Sequence, residues 1–167
     1  MIVMRNLMSI ILVLAAFTAT AYAQDSNWRT YVNERFGSRI EYPANVFSPE
    51  PPPENGDGRR FKSRDAAEFT ISAGYNVIPD TLQSLENSLR HPGAGNSDDY
   101  ASVTYRMSKD NVLILSGFRG DKVYYDKFVF TKDQETIHHF AITYPAAAKG
   151  TYDPILERMS KSMGYAQ

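Results

Sequence analysis

The sequence predicts an α+β domain: a central, mostly antiparallel sheet with helices packed on it. Three observations lead there. Apolar and polar residues alternate over a series of short runs rich in β-branched and aromatic side chains. The connectors between the last four of these runs are only a few residues long, which favours antiparallel neighbours because a parallel crossover needs a dozen or more. Two other segments carry the stripe and the caps of amphipathic helices. The predicted order is β-β-β-β-α-β-β-β-β-α.

In chain order, "WRTYVNERFGSRIEYP" reads as a hairpin. Trp28, Thr30 and Val32 alternate with Arg29, Tyr31 and Asn33, the turn falls near Phe36-Gly37, and Ile40 and Tyr42 lie on the returning strand, which Pro43 ends. "SPEPPPENGDG", Ser48 to Gly58, is too rich in proline and glycine for a helix or an interior ladder and is expected as a long exposed loop. "RRFKS" and "EFTISAGY" follow as strands joined at Arg64-Asp65-Ala66, with Phe69, Ile71 and Ala73 on one face. "TLQSLENSLR" places Leu82, Leu85 and Leu89 on one helical face behind an Asp80 or Thr81 cap, and "HPGAGNSDD" stops it.

Four strands then form a meander: "YASVTYRM", "NVLILSGF", "KVYYDKFVF" and "TIHHFAITY". "NVLI" is apolar on both faces, so a central strand covered on each side, and hence three layers, is expected. "DPILERMSKSMG" reads as the closing helix, with Asp153 as N-cap, Pro154 first in the helix, Ile155, Leu156, Met159 and Met163 on its inner face, and Gly164 ending it. The repeated Ile-x-Tyr-Pro-Ala at Ile40 and Ile142 reads as strand punctuation, not duplication. Proline holds the preceding tyrosine extended and cannot continue a ladder, and the flanks of the two copies differ.

The first residues carry Arg5, an apolar run from Leu7 to Ala19, and Ala21-Tyr22-Ala23, the pattern of a cleaved secretory leader over residues 1–23. The run is shorter than the roughly 20 residues that span a bilayer, so no stable membrane anchor is expected. Residues 24–167 have the size of one compact domain. The expected location is periplasmic or secreted. With no cysteine the chain has no disulfide, thiolate metal site or lipoprotein anchor, and its 13% aromatic content must supply the core. Eighteen basic residues against 19 acidic ones, without long runs of one sign, imply neither nucleic acid nor an anionic membrane as partner.

Few residues suggest chemistry. His138 and His139 are adjacent on a strand, so their side chains leave on opposite faces and cannot converge on one ion. His91 is the remaining histidine, in a loop near Asp98 and Asp99. His138, on the face of Phe140 and Ile142, reads as a hydrogen-bonded core or boundary residue. There is no G-x-S-x-G or H-E-x-x-H, and "GDGRR" lacks the lysine and the following helix of a phosphate loop. Glu41, Glu68 and Asp126 are acids whose spacing in space the sequence does not give. The notable surface feature is basic. Arg59, Arg60, Lys62 and Arg64 follow the proline segment, with Arg60 and Lys62 on the face opposite Phe61, where they could meet a carboxylate or phosphate. Glu54, Asp57, Asp65 and Glu68 stand close enough in sequence to neutralise them.

The pattern Trp28-x-x-Tyr31-x-Asn33-x-x-Phe36-Gly37-x-x-Ile40-x-Tyr42-Pro43, followed by a strand pair and a helix, resembles the Mog1/PsbP-like group and small exported bacterial proteins similar to it. The tight part of the resemblance covers Trp28 to Tyr75. It implies an α/β/α sandwich around an antiparallel sheet and non-enzymatic work, binding a partner or helping a complex assemble. None of the group's binding residues carries over. The resulting expectation is an exported binding or complex-assembly module of the bacterial envelope, without cofactor or metal, whose partner is another envelope protein. The alternative is a small periplasmic hydrolase or metal-dependent enzyme using His138 or His139.

Overall fold

The computed structural model of the chain describes residues 27–90 and 102–166. The expected leader, and the segment expected to stop the first helix, with His91, Asp98 and Asp99, lie outside the described residues. The α+β class stands, but the strands divide between two sheets. Strands β1 (Trp28–Val32) and β2 (Ser38–Pro43) pair antiparallel as the expected hairpin, with Gly37 in the left-handed region at φ 71°. They do not join the main sheet. Their third partner is a short β10 (Gly164–Tyr165) at the other end of the chain, which sets Gly164 against Arg39 and Tyr165 against Ser38.

The main sheet has seven strands in the order β3-β4-β5-β9-β8-β7-β6, every neighbour antiparallel. They are β3 (Ser48–Pro49), β4 (Gly58–Lys62), β5 (Glu68–Tyr75), β6 (Val103–Lys109), β7 (Val112–Arg119), β8 (Lys122–Phe130) and β9 (Thr136–Pro145). The meander runs from β6 to β9 as expected, and β5 closes against β9. The "NVLI" strand, β7, is covered on both faces but stands second from the edge, so two-sided burial marked its helix cover and not a central position. Beside it, Gly117 is required. A Cβ there would lie 1.8 Å from the Ser102 carbonyl oxygen, where the chain crosses into β6 at a register shift.

One face of the main sheet carries the larger core. Phe61, Phe69, Ile71, Phe140, Ile142 and Tyr144 meet Ile40 and Tyr42 of the small sheet and Tyr152, Met159 and Met163 of helix α2 (Lys149–Ser162). Phe61 and Phe69 stack across β4 and β5 with ring centres 4.4 Å apart, and Tyr31, Tyr42, Phe47 and Phe140 close around them edge-on or tilted. The opposite face meets helix α1 (Leu82–Arg90), whose Leu82, Leu85 and Leu89 sit on Leu113, Leu115, Tyr124 and Phe128. Thr81 caps this helix, its Oγ1 accepting from the Ser84 N–H at 3.1 Å. Buried Glu86 clamps the helix to β6 through a two-point bond from the Arg106 guanidinium, which holds its carboxyl below the usual carboxylate range. The expected three layers are present, one of them a composite of α2 and the small sheet.

Helix α2 differs from its expected start. A 3₁₀ turn over Ala146–Ala148 leads directly into it at Lys149, so Asp153 is not its N-cap and Pro154 lies inside the helix. Alanine is the strongest helix former, and three in a row directly after Pro145 begin the winding before the Asp-Pro pair is reached. Asp153 serves another purpose: its Oδ1 accepts from the buried Tyr144 hydroxyl at 2.7 Å, while Lys149 pairs with the same carboxylate. Pro43 and Pro145, the two Tyr-Pro prolines, each stand last in a strand, as punctuation predicts.

Candidate functional site

The proline segment is not a free loop. Ser48–Pro49 forms the edge strand β3, Gly58 already belongs to β4, and the span between is tied at several points. Asn33 Nδ2 donates to the Gly56 carbonyl at 2.8 Å and Arg35 Nη1 to that of Asn55 at 2.6 Å, fastening the segment to the β1–β2 turn. The Glu50 N–H donates to the Arg60 carbonyl and the Ala73 N–H to that of Asp57. The segment overhangs a cleft of about 280 Å³ between itself and the outer face of β4 and β5.

The four basic residues separate around this cleft. Lys62 is neutralised at 2.7 Å by the carboxylate of Glu50, an acid the sequence reading passed over because its contact depends on the β3–β4 pairing. Arg59 Nε donates to the Glu50 carbonyl at 2.8 Å. Arg60 is exposed, lines the cleft and stands directly opposite Thr70. Arg64 sits apart in the β4–β5 turn, where Asp65 accepts from Ser63 and from the Tyr152 hydroxyl and is held below its ordinary pKa chiefly by the Ser63 bond.

The histidines leave on opposite faces of β9, as their adjacency requires. His138, 1% exposed, joins the two sheets: its Nδ1 lies 2.7 Å from Ser38 Oγ and Tyr165 stacks on it at 4.5 Å, while burial lowers its pKa. His139 faces outward, Nε2 2.7 Å from the buried Asp126 carboxylate, and lies flat against Phe128 with ring centres 4.1 Å apart. Sequence named both members of this pair; the β8–β9 register that joins them was not legible in it. Ser72 is directly opposite His139 on β5, which suggests a Ser-His-Asp relay. The stacking argues against that geometry. Phe128 covers one face of the ring, Nε2 is taken by Asp126, and no hydrogen bond joins Ser72 to the imidazole among the described residues. Glu41, another acid noted in the sequence, pairs with Arg158 at 3.0 Å, which also covers the Trp28 ring and ties α2 to the small sheet. Among the described residues no group of three or more histidine, aspartate or glutamate side chains is placed to hold a metal ion.

Sequence reading missed an apolar tip. After β5 the chain exposes Tyr75, Val77 and Ile78, the last two 82% and 80% exposed. Phe36 meets Tyr75 edge-on at 5.2 Å, and the Arg35 guanidinium lies over both rings. The tip is held from both sides by Asn76. Its Nδ2 donates to the carbonyls of Asp80 and Gln134, its Oδ1 accepts from the Asp80 N–H, and its own N–H donates to the Glu135 carbonyl. "NVIPD" shows the signal in retrospect, two aliphatics set between an asparagine and a Pro-Asp turn.

No family model and no curated protein matches the sequence. Solved structures do match the fold. The solution structure of cyanobacterial PsbP (CyanoP) from Synechocystis sp. PCC 6803 superposes with a TM-score of 0.60 at 11% identity, over 90% of this chain and 99% of that one. A crystal structure from Bacteroides thetaiotaomicron VPI-5482 gives a TM-score of 0.50 at 13% identity over 84% of this chain, which spans 49% of that longer chain. Identities this low speak for the fold alone, and with the antiparallel sheet between α1 and the α2 layer they make the conclusion plain: the chain has a Mog1/PsbP-like fold.

Proposed function

We propose that this chain is an exported, non-enzymatic binding or assembly module of the bacterial envelope that docks another envelope protein through the tip at Tyr75, Val77 and Ile78. The observation that carries the reading is the exposure of two large aliphatics on a turn that four Asn76 hydrogen bonds hold rigid. A water-facing apolar patch with no role in the chain's own core is a common mark of a protein contact. A pre-ordered turn loses little further entropy on binding. Arg35 flanks the patch, so the matching surface is an apolar pocket with an acidic rim. A Mog1/PsbP-like fold supports a binding role by analogy of architecture.

The test is capture from an envelope extract by the native chain and by a Val77→Asp/Ile78→Asp variant, with bound proteins identified by mass. The variant is expected to keep its thermal midpoint and lose a partner that the native chain retains. Equal capture of every protein by both would overturn the proposal.

A further inference from the structure

The cleft beneath the proline segment brings together groups that the fold itself leaves unused. Arg60 and Thr70 face each other across β4 and β5, and Gly58 faces Ser72. By strand alternation the Arg60, Thr70 and Ser72 side chains rise on the face opposite Phe61, Phe69 and Ile71. None of the three makes a side-chain hydrogen bond or ion pair among the described residues. Gly58 lets β4 approach β5 closely at the end of the cleft: a Cβ there would lie 2.3 Å from the Ile71 carbonyl oxygen and 2.7 Å from Ser72. Of the two acids that line the cleft, one is neutralised by an ion pair and the other accepts a hydrogen bond from a neutral amide. Glu50 is held by Lys62, and Asp57 accepts from Asn55 Nδ2 at 2.8 Å. Arg59, its Nε bound to a carbonyl, adds a second cation with no carboxylate partner among the described residues. Pro51 and Pro53 supply apolar walls.

We propose that this cleft binds a small oxyanion, the carboxylate or phosphate group of a compact ligand, with the Arg60 guanidinium as its anchor and the Thr70 and Ser72 hydroxyls as further donors. The planar fork of arginine matches two oxygens of such a group, and a hydroxyl donates equally well to either kind. The volume of about 280 Å³ admits a group the size of phosphate or a short-chain acid. Because Arg60, Thr70 and Ser72 lie outside the Tyr75–Ile78 tip, the two sites stand or fall separately.

The experiment is a titration of the isotopically labelled protein at fixed ionic strength, with methyl phosphate in one arm and acetate in the other, followed by amide shifts. At least one arm is expected to give saturable shifts at Arg60, Thr70, Ser72 and the segment from Glu50 to Asp57, and the arm that saturates identifies the ligand class. Arg60→Gln should weaken binding about 10-fold or more, the effect of one charge-assisted contact. Ser72→Ala should weaken it less, and Arg64→Gln should leave it unchanged. Should Arg60→Gln disturb the fold, Arg60→Lys provides the second reading: charge is kept, the fork is lost, and affinity should fall between native and Arg60→Gln. Non-saturating shifts in both arms, or the same curve in native, Arg60→Gln and Arg60→Lys proteins, would overturn the proposal.

Discussion

His138 shows how much one side chain can hold at the residue scale. Among the described residues it is the only histidine in the interface between the two sheets, and it lies there between Ser38 and Tyr165. Burial lowers its folded pKa below the ordinary 6.5, so between these two values the unfolded chain binds more protons than the folded one. Stability is therefore lost as pH falls below 6.5 and stops falling, on this account, once the folded pKa is passed. His138→Asn keeps a hydrogen-bonding partner near the Nδ1 position without the titration. Denaturant midpoints measured from neutral pH downward should show a smaller decline for this variant than for the native chain across that window, and equal slopes would contradict it. Sequence placed His138 in the core or at its boundary through its alternation with Phe140 and Ile142, but Ser38 lies 100 residues away and no local pattern names it. The Asp126–His139 pair was hidden for the same reason. Alternation reveals which face a residue takes, whereas the partner across a ladder depends on a register fixed by the whole sheet.

Among the elements, the closing helix is the instructive one. Asp153-Pro154 has the composition of a helix start, and the alanines before it wind first, leaving a proline on the exposed side of an established helix. Pro154 cannot donate to the Gly150 carbonyl, so Pro154→Ala restores a backbone hydrogen bond at a position with little packing to lose. Part of that gain is offset by the greater freedom alanine gives the unfolded chain. The expected net effect is a stabilisation of about 1 kcal/mol, readable as a rise in denaturant midpoint at constant m-value; a fall would mean that the ring is needed where it stands. Strand existence was legible almost throughout, as was the first helix, because period-2 and period-3.6 patterns survive in the letters. Sheet membership was not. The β1–β2 hairpin alternates like any other, and no local pattern says that it forms a separate sheet with Gly164–Tyr165 from the far end of the chain. The proline segment was legible as irregular, but its fastening by Asn33 and Arg35 was not, since both anchors lie in a different hairpin.

For the molecule as a whole, the core and the proposed contact occupy different surfaces. The aromatic cluster around Phe69 carries the cysteine-free chain, and Phe69→Ala should cost about 3–5 kcal/mol through lost burial and the cavity left behind. Val77 is 82% exposed, and Val77→Asp should stay within about 0.5 kcal/mol of native. Thermal or chemical unfolding of the two variants side by side checks the division, and a comparable loss in both would show that the tip belongs to the core. Such separation suits a rigid sheet that presents a contact without moving. The central claim, that this scaffold exists to offer its apolar tip to another envelope protein, is tested most directly by a photocrosslinking amino acid placed at position 77 in the cells that make the protein. The account predicts a discrete adduct with one envelope protein from that position, and none from position 150 on the α2 side. Equal, diffuse labelling from both positions, or no adduct from position 77, would contradict it.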